Sequence, residues 1–254
     1  MKAIISAVIL ALSVFAAFAP AQSVVITPRK VTYKRPKPMQ NFKKTFTITY
    51  PRVKASTPAL SKKIESTLSY AKVLKLDLKD ELNGNQWLEE ADYEVIYNKN
   101  GLLTITLSMN GTAAYPDGVS KAVVVDLKTG NQLRSADVFA NLSGLAAMVK
   151  KNQRAEVTKA IKEISEDPES KDVDTNQIFE GTNFTVKNLD EFEVNDSGMT
   201  FIYDYGFPHV IQALQPDGRF TYTWKELKPY IQSRGQLGHF GYRFTRFDRM
   251  TIVK

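Results

Sequence analysis

The chain has 254 residues, of which 43% are hydrophobic and 24% are charged, and its formal net charge is +7. This composition is typical of one large folded domain or two small ones, and it excludes intrinsic disorder, a collagen repeat and a coiled coil. There is no cysteine and there are only 2 histidines, which excludes disulfides, thiolate or histidine-rich metal sites and a cysteine nucleophile. We therefore expect no metal and no cofactor, and an enzyme would have to rely on carboxylates, hydroxyls and lysines.

Residues 1–21 have the pattern of a secretory signal peptide. Lys2 precedes an apolar run over residues 3–18, and Ala19-Pro20-Ala21 provides small residues for a cleavage site. The run is shorter than the roughly 20 residues of a membrane-spanning helix, and no later apolar run reaches that length. We expect a secreted or periplasmic protein with a cleaved signal peptide and no membrane span. Nucleic acid is not an expected partner of an exported protein.

Charge is distributed unevenly along the chain. Residues 22–64 contain 11 Lys or Arg and no acid, residues 65–218 contain 14 basic and 25 acidic residues, and residues 219–254 contain 8 basic and 2 acidic residues. The basic ends either stay solvated beside the acidic middle or attract an anionic envelope polymer. Residues 31–38 are basic and interrupted by prolines, which predicts a flexible or extended arm over residues 22–41, ahead of the first strand.

Alternating apolar residues and turn residues predict the elements of the first half. Residues 42–50 alternate as a half-buried strand that ends at Pro51. Thr57 and Pro58 begin a helix that extends to about residue 74. An antiparallel meander is predicted by three further alternating segments: residues 93–97, 103–109 and 123–127.

The second half begins with the longest predicted helix, over residues 143–166, where apolar residues recur at three- and four-residue steps. Short strands are predicted after it: residues 184–186, 192–194, 199–205 and the region of Phe220 and Tyr222. Thr223 and Glu226 have the spacing of a capping box. Aromatic residues alternate with arginine over residues 240–247, which predicts a last strand over 240–253 or, alternatively, a surface that stacks sugars. The sequence therefore predicts an α+β fold with antiparallel sheets and two main amphipathic helices.

The segment Asp126-Leu127-Lys128-Thr129-Gly130, followed by Leu133 and Asp137-Val138-Phe139, combines an aspartate, a threonine-glycine turn and a second aspartate before apolar residues. Further segments accompany it on both sides: residues 93–107, 111–116, 201–205 and 224–227. Together they resemble the exported domain shared by the lysozyme-sensing anti-sigma factor RsiV and the N-terminal, non-catalytic part of the peptidoglycan deacetylase PdaC.

The resemblance implies an α+β fold in which two sequence halves, residues 42–140 and 141–233, form one compact body. Residues 234–254 would then be a basic aromatic strand or tail. It also implies protein binding and not catalysis, since loops of the anti-sigma domain enter the substrate cleft of lysozyme. The corresponding loop would lie between Tyr205 and Gly218.

The best candidate contact residues lie in two predicted loops: Tyr205, Phe207, Pro208 and His209, joined by Tyr115 and Pro116. Rigid aromatic and proline side chains provide a large contact area at a small entropic cost, which suits a protein or sugar ligand. The alternative is that the same aromatics belong to the core. His209 could serve as a general base, but no serine or cysteine in a nucleophile motif accompanies it.

The densest acidic cluster contains four residues: Glu89, Glu90, Asp92 and Glu94. Two carboxylates set about 5–9 Å apart, one with a pKa raised by burial, can hydrolyse a glycan. On a strand, however, three of these acids share one face while Tyr93 and Val95 face the core, which is typical of a solvated edge.

We therefore expect an exported, non-enzymatic domain that binds a cell-envelope component, such as peptidoglycan, or an envelope-directed protein, such as a muramidase. The alternatives are a carboxylate-based glycan hydrolase of the envelope and a scaffold module for another exported protein.

Overall fold

The computed structural model describes residues 23–40, 42–84, 86–112, 116–170 and 172–238. The predicted signal peptide, the predicted last strand over residues 240–253 and the candidate residue Tyr115 lie outside the described residues. In the described part of the chain the fold is α+β with mainly antiparallel sheets, which confirms the predicted class.

The larger sheet has five strands arranged in chain order: β1 (Val25–Lys34), β2 (Thr45–Lys54), β3 (Leu88–Lys99), β4 (Leu102–Thr112) and β5 (Pro116–Asp126). Neighbouring strands are antiparallel except β2 and β3, which pair in parallel. The smaller sheet has three antiparallel strands: β6 (Phe192–Val194), β7 (Gly198–Ile202) and β8 (Arg219–Thr223). The predicted meander corresponds to β3, β4 and β5 and is confirmed.

The helices of the described residues are α1 (Pro58–Thr67), α2 (Tyr70–Val73), α3 (Leu78–Asn83), α4 (Ser135–Val138), α5 (Leu142–Glu166), α6 (Thr175–Ile178) and α7 (Trp224–Leu227). Two 3₁₀ helices cover Val186–Asp190 and His209–Leu214. Helix α5 has 25 residues and is the long helix that the sequence predicts. The predicted capping box opens α7, where Thr223 and Glu226 exchange hydrogen bonds.

Strand β4 is buried on both faces. Leu103, Ile105 and Leu107 pack in a first core together with Ile64 of α1. Leu102 points to the opposite face and packs in a second core with residues of α5 and the smaller sheet. Because successive strand residues point to opposite faces, the larger sheet separates the two cores. It is therefore the middle layer, with α1 and α2 on one side and the smaller sheet and α5 on the other.

A β-bulge in β3 changes which of its residues face the interior. The pairing with β4 shifts between Val95 and Tyr97, so that β3 contains one extra residue. Tyr93 packs against the first core, Val95 is 39% exposed, and Tyr97 is buried in the second core. The expectation that Val95 is a core residue is therefore wrong, since its side chain is exposed, and the bulge that follows it turns Tyr97 to the opposite face of the sheet.

The basic N-terminal segment contains the strand β1. The predicted flexible arm over residues 22–41 is therefore corrected for the residues of this strand, Val25–Lys34. All 10 residues of β1 pair with β2. Ile26 and Tyr33 pack against the first core, and the ring of Tyr33 stacks on Phe46 with 5.1 Å between ring centroids. The charged side chains of β1, those of Arg29, Lys30 and Lys34, are exposed, which is why a basic segment can still form a strand.

Pro51 does not end β2, which continues to Lys54. Pro51 lies directly opposite Pro28 of β1. The hydrogen bond from the Arg35 N–H to the Lys44 carbonyl, 2.9 Å long, fixes the alternation of this ladder. Hydrogen-bonded and non-hydrogen-bonded pairs alternate along the ladder from this bond onward. Pro28 and Pro51 form a non-hydrogen-bonded pair, in which neither backbone nitrogen faces the other strand. They therefore remove no hydrogen bond between β1 and β2.

The predicted helix over residues 58–74 is two helices, because the backbone becomes extended at Ser69 between α1 and α2. This break places Tyr70 in the first core, where its hydroxyl donates to the Thr49 carbonyl at 2.8 Å. Burial raises the pKa of the Tyr70 phenol well above its ordinary value, so that the hydroxyl remains a donor.

The turn after β5 contains the aspartate, threonine and glycine of the family resemblance. The buried Asp126 carboxylate accepts from the Lys128 N–H at 2.9 Å and from the Thr129 hydroxyl at 2.7 Å. Gly130 donates its N–H to the Asp126 carbonyl at 2.7 Å and has a φ of +71°, which favours glycine. These residues therefore act in closing the turn.

A buried ion pair fixes the chain where β1 ends. The side chains of Arg35 and Glu81 are 1% and 4% exposed and are 3.0 Å apart. Arg35 also donates to the carbonyls of Lys43 and Leu88, each at 2.7 Å, and its guanidinium lies 4.7 Å from the ring centroid of Phe46. The Leu88 N–H in turn donates to the Glu81 carboxylate at 3.0 Å. Both charges are thus hydrogen-bonded inside the protein.

Arg35→Met should lower the free energy of unfolding by about 3–5 kcal/mol, because the Glu81 carboxylate would stay buried without its partner. Arg29→Met changes an exposed arginine of β1 and should alter the free energy by less than about 0.5 kcal/mol. Urea denaturation followed by circular dichroism measures both values. Similar values for the two variants would contradict the assignment.

Asp190 joins α4 to the 3₁₀ helix Val186–Asp190. Its carboxylate accepts from the Ser135 N–H at 2.9 Å and from the Ser135 hydroxyl at 2.7 Å, and it lies 3.4 Å from the Arg134 guanidinium. Burial by itself would raise the pKa of Asp190, but the Ser135 donors and Arg134 outweigh burial and hold the pKa below its ordinary value.

A carboxylate with a lowered pKa in the folded state stabilises the fold above its unfolded pKa of about 3.9, and this stabilisation is lost as the pH falls through the folded value. Because the Asp190 side chain is 40% exposed and solvent weakens its interactions, Asp190→Asn should lower the free energy of unfolding by no more than about 1 kcal/mol at pH 7. The difference from wild type should shrink below about pH 4. Urea denaturation at both pH values tests this, and a difference that is independent of pH would contradict it.

Candidate functional site

The loop between β7 and β8, residues 203–218, contains four of the six predicted contact residues. Tyr205 and Phe207 are each only 7% exposed. Their rings meet Phe179 edge-to-face, with centroid separations of 6.0 and 5.2 Å, in a cluster that includes Ala160 and Ile164 of α5. The predicted aromatic contact surface is therefore corrected for these two residues, which belong to the interior.

The exposed tip of the loop consists of Pro208, His209 and Val210, where the 3₁₀ helix His209–Leu214 begins. Val210 is 79% exposed, and the sequence analysis did not select it, because an apolar residue among aromatics gives no sign of pointing outward. Pro116 is the first residue of β5 and therefore belongs to the other sheet.

Glu156 of α5 holds both ends of the loop. One carboxylate oxygen accepts from the Tyr205 hydroxyl at 2.7 Å, and the other accepts from the Gly218 N–H at 3.2 Å. Burial and this hydrogen bond raise the pKa of Tyr205 well above its ordinary value, so that the phenol stays protonated as a donor. Within the loop, the Phe207 N–H donates to the Gln215 side chain at 2.9 Å. The tip is therefore carried by a loop with fixed ends.

Gly218 meets a steric requirement at the end of this loop. Its φ is +65°, and a Cβ at this position would lie 2.0 Å from the Tyr203 carbonyl oxygen. The Tyr203 N–H donates to the Gly218 carbonyl at 2.8 Å, which closes the base of the loop. A side chain would therefore open the base.

A groove of about 470 Å³ lies between α5 and the C-terminal part of the loop. Its apolar lining includes Ile164, Leu214 and Pro216. Its charged lining consists of four acids and one lysine: Glu156, Glu163, Asp167, Asp217 and Lys159. The excess of carboxylates favours a ligand with basic groups over an anionic one.

The acidic cluster predicted on β3 is spread along an ion-paired surface. Lys43 forms an ion pair with Glu89 and lowers the pKa of this carboxyl by hydrogen bonding. Lys30 lies 3.8 Å from Glu90. Glu90, Asp92 and Glu94 are exposed on the strand, as the sequence predicts for a solvated edge.

Among the described residues, no three acidic or histidine side chains are placed so that they could hold a metal ion. None of the helices in the described ranges is long and apolar enough to cross a membrane.

Tyr205→Phe keeps the buried ring but removes the hydroxyl that Glu156 accepts, and we expect it to lower the free energy of unfolding by about 1.5–3 kcal/mol. Tyr93→Phe is the matched control, because the half-buried Tyr93 hydroxyl has no hydrogen bond to any described residue. Chemical denaturation measures stability, and amide hydrogen exchange over residues 206–217 should become faster only in Tyr205→Phe. Unchanged exchange would show that Glu156 does not hold the loop.

Solved structures with a similar fold include two crystal structures of DUF3298 proteins. A DUF3298 family member from Bacteroides fragilis has a TM-score of 0.53 and 14% identity, and the match covers 86% of this chain and 97% of that one. A DUF3298 family protein from Pseudomonas aeruginosa has a TM-score of 0.51 and 13% identity, with 83% and 94% covered. A scan against protein-family models finds no match, and a search of curated proteins finds none. At these identities the likeness concerns the fold alone: the chain has the fold of these DUF3298 proteins.

Proposed function

We propose that the chain is an exported, non-enzymatic binding domain of the RsiV and PdaC type. Its ligand is a cell-envelope component such as peptidoglycan or an envelope-directed protein such as a muramidase. The binding surface is the loop tip Pro208, His209 and Val210. The observation that carries this proposal is the 79% exposure of Val210 on a loop whose two ends are held by one carboxylate, that of Glu156.

A single exposed valine is ordinary on a protein surface. The position of Val210 makes it a candidate, because Glu156 already holds both ends of the loop and a ligand would not have to fix them on binding. Proline at the tip restricts the backbone further. The carboxylate-lined groove beside the loop supports a protein ligand with basic groups more than an anionic polymer such as peptidoglycan.

The fold of the DUF3298 structures and the Asp126 to Gly130 turn support the relation to the RsiV and PdaC domain. The export of the protein rests on residues 1–21, whose sequence pattern is that of a signal peptide.

Binding is tested by incubating the purified protein with a panel of muramidases and with peptidoglycan sacculi, measuring complex formation, inhibition of glycan cleavage and co-sedimentation. Val210→Asp places a charge at the tip and should weaken binding by at least about tenfold. Val25→Asp is the control, since Val25 is 59% exposed but lies at the start of β1. An absence of binding in both assays, or equal effects of the two variants, would refute the proposal.

The non-enzymatic assignment is tested by incubating the protein with fluorescently labelled peptidoglycan and measuring the release of soluble fragments. We expect no release by the wild type or by Glu90→Gln, because the acids of β3 are exposed and partly ion-paired. Release by the wild type that is lost in Glu90→Gln would establish the hydrolase instead.

A further inference from the structure

Strand β5 is the outer strand of the larger sheet, and part of its free edge is already occupied. The Leu133 N–H donates to the Val124 carbonyl at 2.8 Å, and the Asp126 N–H donates to the Asn131 carbonyl at 3.0 Å. Residues 131–133 therefore lie beside the end of β5 on the side away from β4. The two bonds also show that the even-numbered residues of β5 direct their backbone groups to this side.

By the same alternation, the N–H and C=O groups of Ala122 point away from β4. Within the described parts of the chain, neither group has a hydrogen-bond partner, although Ala122 is buried. Unpaired N–H and C=O groups at the edge of a sheet can pair with an added strand. Ala122 lies next to the part of β5 that pairs with residues 131–133, and its backbone groups point to the same side of the strand.

This free edge forms part of the floor of a groove of about 580 Å³. Lys121, Ala122 and Val123 of β5 line it. Its other cationic side chains come from α2, the following turn, the segment before α4 and the 3₁₀ helix Val186–Asp190: Lys72, Lys75, Arg134 and Lys187.

The groove also contains three acids, Asp190, Glu191 and Asp204. Arg134 forms an ion pair with Asp190, so these two charges offset each other. Four lysines then remain against two acids, Glu191 and Asp204. The groove is therefore positively charged at neutral pH, in contrast to the acidic groove beside the loop.

We propose that this groove binds an extended, acidic peptide segment of a partner protein, which adds a strand to β5 and pairs with the backbone of Ala122. Main-chain hydrogen bonds to an exposed edge provide affinity for any extended peptide, and the lysine walls select acidic side chains. A carboxylated or phosphorylated polymer could form ion pairs with the lysines. It could not provide a hydrogen-bond donor and a hydrogen-bond acceptor to Ala122 at the spacing of a β-strand. The site shares no lining residue with the loop tip, so it is independent of the proposed function.

The probe is a fluorescein-labelled peptide of eight residues in which Glu and Thr alternate, and fluorescence anisotropy measures its binding to the full chain. We expect saturable binding that weakens at least tenfold when alternate peptide nitrogens are methylated, because methylation removes the donors of an added strand. The charge of the peptide is unchanged by this modification.

Ala122→Pro removes the outward N–H without removing a hydrogen bond to β4, since proline is tolerated on the open side of an edge strand. This variant should weaken peptide binding at least tenfold. The double variant Lys121→Glu and Lys187→Glu should do the same, and it keeps the test valid if Ala122→Pro does not fold. Lys151→Glu changes an exposed lysine of α5, outside the groove, and should bind like the wild type.

Three outcomes would overturn the proposal. Equal binding of the methylated and unmethylated peptides would show that the groove binds anionic charge only. Sedimentation that reveals a dimer dissociated by Ala122→Pro would show that a second copy of the chain occupies the edge. An absence of peptide binding by the folded wild type would show that no added strand forms.

Discussion

The burial of β4 on both faces is the constraint on which the rest of the structure depends. Its apolar residues are continuous from Leu102 to Ile105 apart from Thr104, so the strand needs a covering layer on each side. Helices α1 and α2 cover one face, and the smaller sheet with α5 covers the other. In this arrangement the loop between β7 and β8 packs against α5, and β5 is the edge strand of the larger sheet.

Polar groups inside this arrangement are paired by residues far away in sequence. Arg35 and Glu81 join the end of β1 to α3, and Glu156 joins α5 to both ends of the loop. The charges of Arg35 and Glu81 are stabilised in the interior by several hydrogen bonds, and the half-buried Glu156 accepts two hydrogen bonds that hold the loop. Part of the basic character of the N-terminal segment is therefore structural.

The two candidate binding surfaces differ in their physical basis. The loop tip offers side chains on an ordered loop beside an acidic groove, whereas the edge of β5 offers unpaired backbone groups between lysines. Both grooves are lined by residues of the acidic middle, 65–218, so their opposite signs arise from the fold and not from the distribution of charge along the chain. A basic protein surface is suited to the first groove and an acidic extended segment to the second.

The sequence by itself determined the fold class, the meander of β3, β4 and β5, the long helix α5 and the turn at Asp126, because hydrophobic periodicity and turn residues act over a few neighbours. It did not determine the pairing of β1, the bulge at Val95 or the continuation of β2 through Pro51, since these depend on the register with another strand. For the candidate site, the sequence located the loop, but only the tertiary structure decided that Tyr205 and Phe207 turn inward. The reason is that Glu156 and the apolar face of α5 are far from the loop in the sequence, and no local pattern shows that they pack against it.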